Sequence, residues 1–282
     1  MTLLAWLVFA MIDTSVAWLL SIGLPSLQLA FMRYFGHAVI STTLLCREGI
    51  DRQMFETGHL WLVLFRASLL ISATAFNFIA LQYVPLTITA SIMFSAPIIT
   101  CALAVPMLGE RVGPAQIFAI FLGFFGVLIV IRPFGETFHW AALLSFYNAF
   151  ALALYSILTR KLSGTVSTEV MQFYMGVSGT LVMAPFAWAT WISPDTIRDW
   201  VLLFALGIWG WGGHELLTRA HGFAGSNTLM PYTYTFLIYL TISSYLVFGH
   251  LPDLLGIIGA LVIVVSGLLI WHLSRDPKSA RS

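Results

Sequence analysis

Residues 254–273 read LLGIIGALVIVVSGLLIWHL, a run without a single Asp, Glu, Lys or Arg. A helix of about 20 predominantly apolar residues crosses a bilayer, because in lipid every backbone N–H and C=O must be satisfied within its own segment. The run therefore reads as a membrane-spanning helix. Nine others resemble it, at 3–22, 27–46, 62–83, 86–106, 114–131, 138–159, 168–190, 200–219 and 226–248. Their apolar character is continuous rather than alternating, which excludes the strands of a membrane barrel. Together they use most of the 282 residues and leave no stretch for a soluble domain. The expected fold is an all-α membrane protein with ten transmembrane helices.

Composition agrees, since 59% of residues are hydrophobic and 9% charged, where a soluble domain carries about 25% charge. Thirteen Lys and Arg against twelve Asp and Glu leave no broad positive field, so nucleic acid is excluded as a partner. Cys46 and Cys101 stand in apolar runs without metal-ligand spacing; both read as packing residues, and neither metal nor cofactor is expected. The first run lacks a basic leader and a small-residue cleavage site and holds Asp13, so it reads as a retained helix. For orientation, Arg47, Arg52, Arg66, Arg111, Arg160, Lys161, Arg219, Arg275, Lys278 and Arg281 fall on one side, with only Arg132 and Arg198 on the other. That bias puts both termini in the cytoplasm, with the chain in the inner (cytoplasmic) membrane.

The two halves align when shifted by about 140 residues. Ala80-Leu-Gln-Tyr83 then falls on Ala220-His-Gly-Phe223, Leu108-Gly109 on Phe248-Gly249, and Gly126 on Gly267 after a one-residue gap. The expected units are residues 1–134 and 135–274, followed by a short cytoplasmic tail, 275–282. Five helices per unit is an odd number, so the second copy enters the membrane from the opposite face. Inverted repeats of this kind build a central cavity that opens alternately to each side.

A charge at bilayer depth is expensive, and ionisable residues there are functional candidates. Asp13 in the first run and Arg33 in the second lie within about 3 Å of each other in depth. They are expected either to pair as a structural salt bridge or to act separately, Asp13 as a protonation site and Arg33 as a substrate anchor. His214 follows a glycine-rich stretch and is a candidate donor or proton relay. Glu215 stands four residues before Arg219, the spacing of a helical ion pair. Trp6, Trp61, Trp140, Trp191, Trp200 and Trp271 fit interfacial belts. Phe76, Tyr147, Tyr155, Trp209, Trp211, Tyr232 and Tyr234 fall inside, and with Asn77, Asn148, Gln82 and Gln172 they suggest a cavity of mixed polarity. Pro97 and Pro231 each remove a backbone donor within a run and are candidate gating bends.

Several strings resemble the EamA-type carriers of the drug/metabolite transporter superfamily. They are Arg66, Ala80-Leu-Gln-Tyr-Val-Pro85, Ala96-Pro97, Leu108-Gly-Glu-Arg-Val-Gly113, Gly123-Phe-Phe-Gly126 and Ile131-Arg-Pro133, matched in the second half by Gly213-His214, Ala220-His221, Pro231-Tyr232 and Phe248-Gly249-His-Leu-Pro252. The resemblance covers nearly the whole chain, one unit in each half, and implies a carrier of small metabolites; some such carriers move riboflavin and others export amino acids. Many members have a lysine four residues after the acid of the first helix, where this chain has Ala17. That departure weakens the case for a strongly anionic ligand and leaves Arg33 as the lone central cation.

Enzymatic chemistry finds no support. His214-Glu215-Leu-Leu-Thr218 has Thr where a zinc-binding helix needs its second His, and there is no phosphate-binding loop. No residue is therefore assigned a catalytic role. The expected function is secondary active transport of a small organic metabolite by alternating access, with an amino-acid-like solute, a vitamin such as riboflavin, or an amphipathic amine as cargo. A passive channel or facilitator is the alternative, and an intramembrane enzyme the remoter one. Protons are the expected coupling ion, with Asp13 as the coupling acid; the partners are membrane lipid and the solute, and the assembly a monomer or homodimer.

Overall fold

The computed structural model describes residues 1–48, 58–108, 113–131, 138–223, 229, 232–233 and 235–274. Among them are eleven α-helices: α1 (Thr2–Ser21), α2 (Ser26–Glu48), α3 (Leu60–Ala80), α4 (Leu86–Met93), α5 (Ser95–Leu108), α6 (Pro114–Ile131), α7 (Ala142–Leu162), α8 (Thr168–Ala189), α9 (Ile197–Phe223), α10 (Thr235–Phe248) and α11 (Leu254–Ser274). Among the described residues seven segments are long and apolar enough to cross a membrane, counting α4 with the start of α5 as one, and the apolar stretches Ile117–Ile131 and Thr235–Phe248 are shorter. The protein is a multi-pass helical membrane protein.

Most runs become helices within a few residues of their expected limits. The fourth does not stay whole: it divides at Phe94 into α4 and α5. Pro97 has no N–H to return to the carbonyl of Met93, the last residue of α4, and as the third residue of α5 it takes a position whose N–H a helix leaves unused. The sixth run starts four residues late, at Ala142, because His139, Trp140 and Ala141 form a turn in which the His139 ring accepts from the Ala141 amide at 3.2 Å. Pro231 and Tyr234 lie outside the described residues. Cys101 is buried as expected, whereas Cys46 is exposed on the surface of α2.

Corresponding elements begin at corresponding places. Thr2 and Ala142 open α1 and α7, Ser95 and Thr235 open α5 and α10, and Pro114 and Leu254 open α6 and α11, each pair about 140 residues apart. Packing follows the same correspondence. α3 lies on α7 as α9 lies on α1, α5 meets α7 as α10 meets α1, α2 packs on α8, and α6 on α11. Glycines permit the closest of these contacts. A Cβ on Gly176 of α8 would stand 2.8 Å from the Ala38 backbone, and Gly179 faces the Tyr34 ring, so α2 and α8 run antiparallel. The same holds for α6 and α11, where Gly123 faces Ser266 and Gly126 faces Gly259 and Ile263.

Two ends of the bundle are distinguished by their polar contacts. At the apical end, where α1 and α3 finish and α7 and α9 begin, Gln28 is fully buried and clamps the α8–α9 connection, donating to Ile192 O at 2.7 Å and accepting its amide at 2.9 Å. Nearby, Trp18 donates to Asp199 at 3.1 Å and the Arg198 guanidinium stacks over the Trp18 ring. The basal end is where α1, α3 and α8 begin and α2, α7 and α9 finish.

Candidate functional site

The sequence places its interior polar groups at helical spacing on three helices. On α3, Arg66, Leu70, Thr74 and Asn77 share one face; on α7 so do Asn148, Leu152, Tyr155 and Thr159; on α9, Gly210, His214 and Thr218. These faces, with α1 and α2, enclose a cavity in the middle of the bundle. Asp13, Arg33, Thr74, Asn77, Asn148 and His214 supply its polar wall, and Trp6, Phe9, Phe78 and Phe236 its aromatic wall. Its clear central volume is about 80 Å³, against the roughly 300–1,000 Å³ of sites that hold drug-sized ligands. The polar groups of its walls bond one another across this narrow space.

Arg33 is the centre of that wall. Its guanidinium donates from Nη1 to the Thr74 hydroxyl at 2.8 Å, and its Nη2 lies 2.8 Å from His214 Nε2. Thr74 and His214 occupy corresponding places on α3 and α9, so one side chain from α2 joins the two halves. Tyr34 supports the arrangement from the next position, with its hydroxyl 2.8 Å from Thr74 Oγ1 and donating to Leu70 O. Opposite, Asp13 accepts from the Asn77 amide at 3.2 Å. The direct Asp13–Arg33 salt bridge is not formed. Equal depth is not proximity: α1 and α2 touch only slightly, α1 packing instead on α9 and α10 and α2 on α8 and α9. Both groups still line the same cavity.

A second polar cluster lies basal to the cavity. Arg66 is fully buried; it donates to Thr159 Oγ1 at 2.7 Å, to the Tyr155 hydroxyl at 2.5 Å and to Thr218 Oγ1 at 3.2 Å, and its guanidinium stacks on the Tyr155 ring. Tyr155 also reaches His214 Nδ1 at 3.4 Å. Arg33, His214, Tyr155 and Arg66 therefore form a continuous polar chain. Arg66 does not belong with the loop cations that set orientation, and Arg33 is not the lone interior cation. Arg66 sits in the second turn of α3, and its place on one face with Thr74 and Asn77 was the available signal. A second correction concerns Trp6, which is 3% exposed and lines the cavity rather than an interfacial belt.

Other candidates lie elsewhere. Tyr147 bonds Ser72 at 2.9 Å and meets Phe76 edge-on between α3 and α7, away from the cavity. Trp209 lines a separate crevice with Thr14, Tyr239 and Ser243, where α1, α9 and α10 meet. Tyr232 is exposed. Glu215 and Arg219 form the i, i+4 ion pair, which extends to Glu169 at 3.2 Å. Among the described residues no cluster of His, Cys, Asp or Glu could hold a metal ion.

A family model described as the EamA-like transporter family matches residues 1–132 and again residues 139–271. Named relatives include an S-adenosylmethionine uptake transporter of Rickettsia bellii (strain RML369-C), 26% identical over 99% of this chain and 96% of that protein. A riboflavin transporter of Vibrio cholerae is 30% identical over 97% of this chain and 93% of its own length. A pseudopaline exporter of Pseudomonas aeruginosa is 26% identical over 92% and 89%. One solved crystal structure superposes with a TM-score of 0.69, covering 98% of this chain and 96% of that one; at 18% identity the likeness is one of fold.

Proposed function

The chain belongs to the EamA-like transporter family, and from that membership we propose that it is a secondary carrier moving a small organic metabolite by alternating access. Its halves, 1–134 and 135–274, act as inverted repeats in the cytoplasmic membrane, with both termini in the cytoplasm. In support, corresponding helices begin about 140 residues apart and the pairs α2/α8 and α6/α11 run antiparallel, as a two-fold axis across the helices requires. The single observation that carries the reading is the Arg33 bridge, in which the two halves hold one guanidinium at the cavity wall through corresponding residues, Thr74 and His214.

The cavity lining favours a solute with a planar or apolar body and a polar or charged tail: Trp6, Phe9, Phe78 and Phe236 offer ring faces, Arg33 a partner for a carboxylate, and Asn77 and Asn148 hydrogen bonds. Amino-acid-like and vitamin-like solutes both meet that description, and S-adenosylmethionine and riboflavin, the cargoes in the names of two relatives, each join a planar ring system to a polar chain. An amphipathic amine would use Asp13 instead. Asp13, partly accessible from the cavity and held by Asn77, is the coupling acid in this scheme, with protons as the coupling ion. Purified protein in proteoliposomes should give saturable flux with counterflow of the same solute; linear, non-exchanging flux across a solute panel would overturn the proposal.

A further inference from the structure

Arg66 is surrounded by neutral partners. Three of its contacts are hydroxyls, on Thr159, Tyr155 and Thr218, and among the described residues neither it nor Arg33 forms an ion pair with a carboxylate. Hydroxyls satisfy donors but leave the charge uncompensated, and a buried, unpaired cation is costly. Its donor set is not satisfied either: among the described residues Arg66 Nη1, fully buried, has no hydrogen-bond partner. The cluster thus combines an unneutralised guanidinium with one unused fork nitrogen, the donor set that arginine offers to carboxylates and phosphates.

Its position gives the cluster a role. Arg66 and Thr74 are two turns apart on one face of α3, about 12 Å along the helix, and Thr74 holds Arg33. His214 and Tyr155 link the two cations, each bonded to one of them and to one another. We propose that the Arg66 cluster is a second binding station for the oxyanion of the transported solute, a carboxylate or a phosphate group, and that the Tyr155 hydroxyl occupies the anion's place in this conformation. The inference rests on the carrier reading and adds to it the charge of the solute and a basal stop on its route. An oxyanion leaving Arg33 exchanges the His214 contact for the Arg66 fork as Tyr155 swings aside, so the charge is not left unpaired in the low-dielectric interior during the passage.

The test is a titration of the nanodisc-reconstituted protein with acetate and, separately, with inorganic phosphate at constant ionic strength, following the melting temperature. A ligand that binds only the folded form raises it saturably, and whichever anion does so identifies the group recognised. Tyr155→Phe keeps the ring over the guanidinium and removes the competing hydroxyl; it should lower the half-saturating concentration about three- to tenfold, the worth of one hydrogen bond. Arg66→Gln should weaken the response more than about tenfold, and where that variant does not fold, Arg66→Lys, which keeps the charge without the fork, should weaken it less. A response that Arg33→Gln abolishes while Tyr155→Phe and Arg66→Lys leave it as in the parent overturns the station, as does a parent protein that answers neither anion. Flux of neutral, cationic and carboxylate- or phosphate-bearing solutes in proteoliposomes is measured in parallel: saturable flux without an anion response removes the station alone, and an anion response without saturable flux of any solute in that panel removes the carrier reading.

Discussion

Gly36 on α2 and Gly207 on α9 meet backbone to backbone: a Cβ on Gly36 would stand 2.7 Å from the Gly207 Cα, and one on Gly207 would stand 2.5 Å from the Gly36 Cα. No side chain separates the two helices there, three residues along α2 from Arg33. Replacing either glycine by alanine should destabilise the protein by about 1–3 kcal/mol through overpacking, and should lower transport as the helices are pushed apart. Thermal unfolding in a fixed lipid or detergent environment measures the first effect; an unchanged melting temperature in both variants would contradict the contact.

Arg33→Gln removes the charge and the fork together. For solutes bearing a carboxylate, KM should rise about tenfold or more, matching the roughly 1.5–3 kcal/mol of a hydrogen bond to a charged group. Solutes lacking the carboxylate should be carried nearly as before. Competition uptake with matched acid and amide solutes makes the comparison, and an equal loss for both would mark Arg33 as a structural bridge between Thr74 and His214.

Asp13→Asn keeps the size of the side chain and its contact with Asn77 while fixing it uncharged. If Asp13 takes up and releases the coupling proton, the parent protein's transport rate varies with pH and the variant's does not, with folding stability within about 1 kcal/mol of the parent. Persisting pH dependence in the variant would reassign the proton to another group.

Tyr147→Phe removes a hydroxyl that bonds Ser72 outside the cavity, and its cost should be about 1 kcal/mol of stability with KM unchanged. A large change in KM would show that α7 rotates during transport and carries this ring inward.

Glu215→Gln breaks an ion pair whose arginine side chain is 50% exposed. Surface pairs at this spacing contribute about 0.3–0.5 kcal/mol, so stability should barely change. A loss of flux with stability intact would assign the pair to gating.

Much of the fold could be read in advance because lipid admits few solutions. The apolar runs mark the helices, and the shift that aligns Leu108-Gly109 with Phe248-Gly249 also aligns the starts of α5 and α10. The break at Phe94 was hidden because the run around it stays apolar; only the missing N–H of Pro97 betrays it. In the site, Asp13, Arg33, Asn77, Asn148 and His214 come together, since burying such groups without function is costly. Arg66 escaped because counting charges by side ignores the direction a helix turns its face. Equal depth left Asp13 and Arg33 free either to pair or to act separately, and they do not pair, because α1 and α2 each pack on the other half of the chain.

Position 33 has its counterpart at Phe173 on α8, an aromatic residue where the first half has arginine. The meeting point of Thr74 and His214 accommodates one guanidinium; a matching cation from α8 would bring like charges together in a medium that screens them poorly. Two identical subunits cannot make that choice, since whatever one contributes the other must contribute as well. Joining both copies in a single polypeptide frees them to differ, so a cargo held as proposed would meet a handed seat, cationic on the α2 side alone.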